Sequence, residues 1–279
     1  GGAGAVVEPE ADILEQLLSR AARALRDELD LAAFTAICHG STRVVLGDEA
    51  RQKVQRCDEF RRELARSDRR IYGVNTGFGK LADTVIPFSQ QARLQKNLVR
   101  SHAVGCGRPL TLPEVRGMIL LRAMSLAHGF SGARVQVIEQ LLWLLSEGLH
   151  PWVPSRGSVG ASGDLAPLSH LALVLMGEGH LIGDQGERIP AGPVLQKRGR
   201  DPLELEAKEG LALINGTQLM NSLGLLAAEE AARLVRPLAG TIMLYERVRR
   251  VIESSRIATS RPPSTSRLAR ASAISATRT

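Results

Sequence analysis

The chain has 279 residues and 44% apolar content, enough for one large or two ordinary domains around a sizeable core. Aromatic residues make up only 3%, and the apolar content is mostly Leu, Ala and Val, which favours packed helices. The formal net charge is +7, but residues 237–279 hold eight Arg and no Lys against Glu246 and Glu253, so the body is near neutral and a nucleic-acid-binding body is not supported.

Residues 1–10 are Gly- and Ala-rich and read as mobile, and the spacing of Ile13, Leu14, Leu17, Leu18, Ala21 and Leu25 predicts an amphipathic helix over 11–26. Asp30 is placed to cap a short helix through Ile37, which Gly40 ends. Val44–Val45–Leu46 is a strand candidate, and Asp48 a cap for a helix to Ser67. A Gly-punctuated loop covers 73–80, and helices are predicted over 89–104, 111–127 (Pro113 and Glu114 in its first turn) and 131–147. Residues 151–160 read as loop, followed by a helix from about Asp164. A hairpin is expected around Gly183–Gly186, then short helices near 193–199 and 205–212. A longer helix is predicted from Thr217 to Arg236. Beyond Pro237 the periodicity fades into Ser, Thr, Arg, Ala and Pro, which reads as a disordered basic tail or as a stretch out of frame. The expected organisation is an N-terminal extension over 1–28, a main region over 29–236 and this tail over 237–279, with a mainly α fold class.

Cys38, Cys57 and Cys106 form an odd, scattered set with no CxxC pair, and the six His show no close ligand pair. No disulfide framework or metal site is expected, and a reducing compartment fits. No apolar run reaches the length expected of a membrane span, and no secretory signal is recognised at the N-terminus.

The most informative segment is Gly157-Ser158-Val159-Gly160-Ala161-Ser162-Gly163-Asp164-Leu165. Most Gly/Ser-rich loops are only turns. An Ala-Ser-Gly tripeptide, however, has the parts for a backbone reaction. Attack of the Gly163 nitrogen on the Ala161 carbonyl carbon closes a five-membered ring, and loss of the Ser162 hydroxyl as water leaves an exocyclic methylidene. Glycine leaves the attacking nitrogen unhindered and tolerates the bend. Two other chemistries fail on spacing. A nucleophile elbow needs Gly two residues after Ser162, where Asp164 stands. The loop ending in Lys80 has Val74 in place of the first P-loop glycine, and Leu81 in place of Ser/Thr.

The run from Gly157 to His170 resembles the signature of the aromatic amino acid ammonia-lyases and aminomutases. Three further strings match in the same order: Ile71-Tyr72-Gly73-Val74-Asn75-Thr76-Gly77-Phe78-Gly79, Asn97-Leu98-Val99-Arg100-Ser101-His102, and Glu209-Gly210-Leu211-Ala212-Leu213-Ile214-Asn215-Gly216-Thr217-Gln218. The resemblance implies a helical bundle-type lyase fold, of which the long C-terminal helical part has no counterpart recognised here. It implies a protein-derived methylidene-imidazolone from Ala161-Ser162-Gly163 and no external cofactor. Tyr72 would be the base that takes the substrate β-proton. A free phenol is a poor base at neutral pH, so helix termini and loop amides would have to favour its ionised form. His102 would recognise the substrate ring, and Asn215 would hydrogen-bond the electrophile or the amino acid end of the substrate. Taken alone, Tyr72 reads as a loop anchor, His102 as a satisfied core histidine and Asn215 as a turn residue.

Ser101–His102 resembles the histidine-specific lyases, which points to deamination of L-histidine to urocanate and ammonia. Some tyrosine aminomutases carry the same pair, so a tyrosine or phenylalanine lyase or 2,3-aminomutase stays open, as does an inactive fragment. Asp164 is open between assisting ring closure and capping the next helix, and His170 reads as loop support. The family further implies a cytoplasmic homotetramer acting on a small amino acid, with no nucleic acid or membrane partner.

Overall fold

A computed structural model describes residues 29–40 and 43–259. The predicted helix over 11–26 and the tail from 260 onward lie outside these residues. The chain divides into two compact units, one through Glu229 and one from Glu230.

The first unit is mainly helical. Its core is made by α1 (Leu31–His39), α2 (Asp48–Arg66), α3 (Phe88–His102), α4 (Leu112–Ala127), α5 (Val135–Ser146), α6 (Leu165–Leu175) and α8 (Glu209–Ile214). A short α7 (Ala191–Lys197) follows the hairpin of β3 (His180–Ile182) and β4 (Arg188–Pro190). The ends of the helices follow the local signals. Asp30 accepts the Ala33 N–H at 2.7 Å to open α1, and the Thr111 N–H donates to Glu114 at 2.7 Å to open α4.

Helix α4 is the central element, packing against α1, α2 and α5. Val115, Met118, Ile119, Ala123 and Leu126 on α4 meet Val137, Ile138, Leu141 and Leu144 on α5, all almost fully buried. Burying such side chains is worth about 1.5–3 kcal/mol each and holds the bundle together. Gly117 permits the closest approach on α4, because a Cβ there would lie 2.8 Å from the Phe34 ring and 2.2 Å from Ser222 Oγ.

Several expectations are corrected. Val44–Leu46 forms no strand; among the described residues no partner strand lies beside it, and Val44 and Leu46 instead drop singly into the core. Gly47, not Asp48, is the cap of α2, and Asp48 sits in the first turn, where its charge suits the helix dipole. Helix α5 begins at Val135 because Gly132 takes a left-handed conformation, with φ +68°. The stretch 151–160 is not all loop: β2 (Pro154–Arg156) pairs antiparallel with β1 (Cys106–Pro109). The last short helix is shifted to 209–214, since Lys208 is left-handed (φ +69°) just before it.

The final helix, α9 (Gln218–Thr259), runs well past Arg236. Pro237 removes one helical donor, but Leu, Ala, Met, Glu and Arg make up half of residues 238–259, and their helix preference offsets a single break. In the second unit Met243, Leu244, Tyr245 and Val248 are exposed on this helix. By length and composition Glu209–Val235 is apolar enough for a membrane span, contrary to the sequence reading. It is interrupted at Asn215–Gly216, however, and Ala212, Leu213 and Ile214 lie in the core.

A half-buried histidine beside a buried arginine ties stability to pH. His150 lies 3.4 Å from the Arg116 guanidinium, and burial, with that positive charge, pulls its imidazole down to about 4. Between its ordinary value near 6.5 and about 4, the unfolded chain binds a proton that the folded chain refuses. Stability is therefore full above that window and falls as pH drops through it. After discounting for partial exposure, the expected loss is about 1–2 kcal/mol. Urea melts at pH 7 and pH 4.5 should show it, and His150→Gln should remove that part of the difference, leaving the part due to His170, whose pKa is also lowered.

Candidate functional site

The tripeptide lies in the loop between β2 and α6, with Ala161 and Ser162 exposed. Gly160 (φ +69°) and Gly163 (φ +108°) both adopt conformations that favour glycine. A Cβ on Gly163 would stand 2.6 Å from the Gly216 carbonyl oxygen. That oxygen also accepts the Asp164 N–H at 2.6 Å. Thus the loop and the turn at Asn215–Gly216, far apart in sequence, are in direct contact, and the glycine is what permits it.

Asp164 is fully buried. It makes no side-chain cap for α6, the helix it precedes. Its carboxylate instead accepts the Ser158 hydroxyl at 2.8 Å and the Met220 N–H at 2.9 Å. It therefore steadies the tripeptide loop and caps α9 from across the fold.

Asn215 ends α8, and its side chain is exposed. Its carbonyl accepts Arg122 Nη1 at 3.1 Å, and the same nitrogen donates to Gln218 Oε1 at 2.8 Å. Sequence reasoning missed Arg122. The available signal was a lone arginine inside the apolar stretch from Met118 to Met124, where a charge is seldom buried without a reason.

His102 closes α3. Its Nδ1 lies 2.8 Å from the Leu98 carbonyl oxygen and 3.1 Å from Ser101 Oγ; the tautomer with its proton on Nδ1 satisfies that carbonyl, which only accepts. In the neutral ring Nε2 is then an acceptor. The chain after His102 is fastened to the tripeptide loop: the Gly105 N–H donates to His170 Nε2 at 3.1 Å, and a Cβ on Gly157 would lie 3.1 Å from Gly105 Cα. His170, expected to support the loop, sits on α6 and holds the segment after α3 through Gly105. Burial, then the charges of Arg188 and His180, lower its pKa, which keeps Nε2 an acceptor.

Tyr72 is 58% exposed, its ring edge-on to Phe78 at 6.0 Å. It lines an apolar cleft of about 180 Å³ with Cys57, Phe60 and Phe130. The next residue, Gly73, packs on Leu211 of α8. Among the described residues no hydrogen bond or ring contact joins Tyr72 to the tripeptide. Helices α3, α6 and α8 pack on one another, and the Gly163–Gly216 and Gly157–Gly105 contacts bring the segments bearing Asn215, the tripeptide and His102 together, while Gly73, beside Tyr72, reaches α8 from its own loop. Among the described residues no group of three or more His, Cys, Asp or Glu is placed to hold a metal.

Residues 29–260 match the family model described as aromatic amino acid lyase. The chain is 52% identical over 208 residues to a histidine ammonia-lyase of Deinococcus radiodurans, covering 75% of this chain and 40% of the relative. It is 49% identical over 187 residues to that of Bacillus subtilis, covering 67% and 37%. Among solved structures, a tyrosine aminomutase from Streptomyces globisporus matches with a TM-score of 0.69 at 39% identity, over 73% of this chain and 38% of that one. A histidine ammonia-lyase from Trypanosoma cruzi matches with a TM-score of 0.68 at 37% identity, over 75% and 40%. The chain thus spans about two fifths of the length of the relatives it matches.

Proposed function

This chain belongs to the aromatic amino acid lyase family, and from that premise we propose that it carries the catalytic-loop region of a histidine ammonia-lyase, which converts L-histidine to trans-urocanate and ammonia. The observation that carries the substrate is the high identity to relatives described as histidine ammonia-lyases. The residues fit a methylidene-imidazolone built from Ala161-Ser162-Gly163. The position that must be glycine is glycine, in a conformation only glycine favours and against a carbonyl that admits no Cβ. The Ser162 side chain is exposed, as a leaving hydroxyl and a substrate-facing methylidene require.

When formed, that group supplies an electrophile toward the substrate amine. The chain's own residues have the remaining tasks. The exposed Tyr72 phenol takes the β-proton. His102, with its proton held on Nδ1 by Leu98, offers Nε2 to a ring N–H of the substrate. Asn215, its backbone clamped by Arg122, presents its amide to the amino acid end. The exposure of Ala161, Ser162 and Tyr72 supports completion of the site by further protein, in keeping with a cytoplasmic homotetramer.

A second reading, a tyrosine or phenylalanine lyase or 2,3-aminomutase, is favoured by the solved tyrosine aminomutase, whose identity slightly exceeds that of the solved histidine enzyme. An Nε2 acceptor at His102 would serve a phenol hydroxyl equally well. Purified protein incubated with L-histidine is expected to build up urocanate absorbance, and with L-tyrosine or L-phenylalanine no coumarate, cinnamate or β-amino acid. Product from the latter pair and none from histidine would decide for the second reading.

A further inference from the structure

Arg122 lies in the middle of α4 with only 3% of its surface exposed. Among the described residues it has no carboxylate partner. Its donors go to Asn215 O at 3.1 Å, to Gln218 Oε1 at 2.8 Å and to Ala212 O. A buried cation without a counter-charge is costly, and a leucine would fit an apolar helix better. Burial pulls the guanidinium down to about 10, so it stays charged at neutral pH. All three acceptors belong to one short stretch, the end of α8 and the turn into α9. Gly216 lies between them with no room for a side chain: a Cβ would stand 2.2 Å from Arg122 Nη1 and 2.1 Å from Gln218 Oε1. The carbonyl of the same residue accepts the Asp164 N–H at 2.6 Å and abuts Gly163.

We propose that Arg122 is a positioning residue for cyclisation of the tripeptide: by clamping the 215–216 turn it makes the Gly216 carbonyl a fixed stop, which sets the Gly163–Asp164 peptide and the bend that ring closure needs. The inference rests on the reading that the tripeptide cyclises. The reaction itself needs no oxidant. A bond forms between the Gly163 nitrogen and the Ala161 carbonyl carbon. The Ala161 oxygen leaves as water with the amide protons of Gly163 and Ser162. The Ser162 hydroxyl leaves as a second water with the Ser162 Cα proton, leaving the carbon–carbon double bond. Arg122 touches none of these atoms; it acts through the turn.

Intact mass reads the outcome without an activity assay. Four chains are compared: the unaltered chain, Arg122→Met, Arg122→Lys, and Leu144→Ala as a core-weakened control on α5. Thermal melts report folding. The unaltered chain is expected to lack two waters. Arg122→Met should melt cooperatively yet retain at least tenfold more uncyclised chain, Arg122→Lys should recover part of the modification, and Leu144→Ala should cyclise fully. A folded Arg122→Met chain that cyclises as fast and as fully as the unaltered one overturns the proposal alone. If Arg122→Met does not fold, cyclisation of Arg122→Lys at the unaltered rate overturns it. Equal loss in Leu144→Ala also overturns it, because the defect would then follow general stability. An unaltered chain of full mass removes both the proposal and the reading beneath it.

Discussion

A chain carrying Ser162→Ala is expected to lack at most one water by intact mass, where the unaltered chain lacks two, and to lose ammonia-lyase turnover by a thousandfold or more. The second water is made from the Ser162 hydroxyl. An alanine can still take part in ring closure, but no methylidene forms, so the electrophile is missing. A thousandfold loss corresponds to about 4 kcal/mol of transition-state stabilisation. The fold should not change, because Ser162 is exposed and makes no side-chain hydrogen bond among the described residues. Exposed substitutions of this kind stay within about 0.5 kcal/mol of stability. A Ser162→Ala chain that kept its turnover, or still lacked two waters, would contradict the assignment of the tripeptide.

The second large effect is on stability. Glu209 opens α8 with its side chain fully buried, and its carboxylate accepts four N–H groups: Arg134 N at 3.0 Å, Arg134 Nε and Nη2 at 2.8 Å, and Glu206 N at 2.8 Å. Arg134 is itself mostly buried, and Glu206 at 3.1 Å would be its one remaining carboxylate. Glu209→Ala thus leaves two backbone donors without their acceptor and strips Arg134 of its buried carboxylate, with only the half-exposed Glu206 and the Glu204 carbonyl still facing the guanidinium among the described residues. Breaking such a pair from one side costs about 3–5 kcal/mol, and a melting temperature lower by about 10 °C is expected. The lesion lies on the helix that ends at Asn215 and carries Leu211 under Gly73, so the site should loosen with it. Denaturant melts that showed a change below about 1 kcal/mol would rule out this account of how α8 is seated.

Much of the fold was legible because its signals are local. Asp30 and the Thr111–Glu114 pair lie within a turn of the helices they open, and their geometry follows from residue type. The β3–β4 hairpin likewise follows from one Gly-containing turn. The pairing of β1 with β2 was not legible, since the partners Cys106 and Arg156 lie far apart in sequence and each segment is too short to show a pattern. The end of α9 was misplaced because Pro237 is a strong local stop signal, whereas the helix-forming residues beyond it act only as a sum.

The succession of helices, and Ala161-Ser162-Gly163, Tyr72, His102 and Asn215 as candidates, were readable from the chain before any fold was known. These follow from capping, periodicity and a family motif, all carried by neighbouring residues. That Gly163 rests on Gly216, that Asp164 caps α9 rather than α6, and that Arg122 clamps the turn between them emerge from the folded chain alone. The difference is one of range. Arg122 reaches acceptors 90 to 96 positions away, and a hydrogen bond of that span leaves no periodic trace in the chain that forms it.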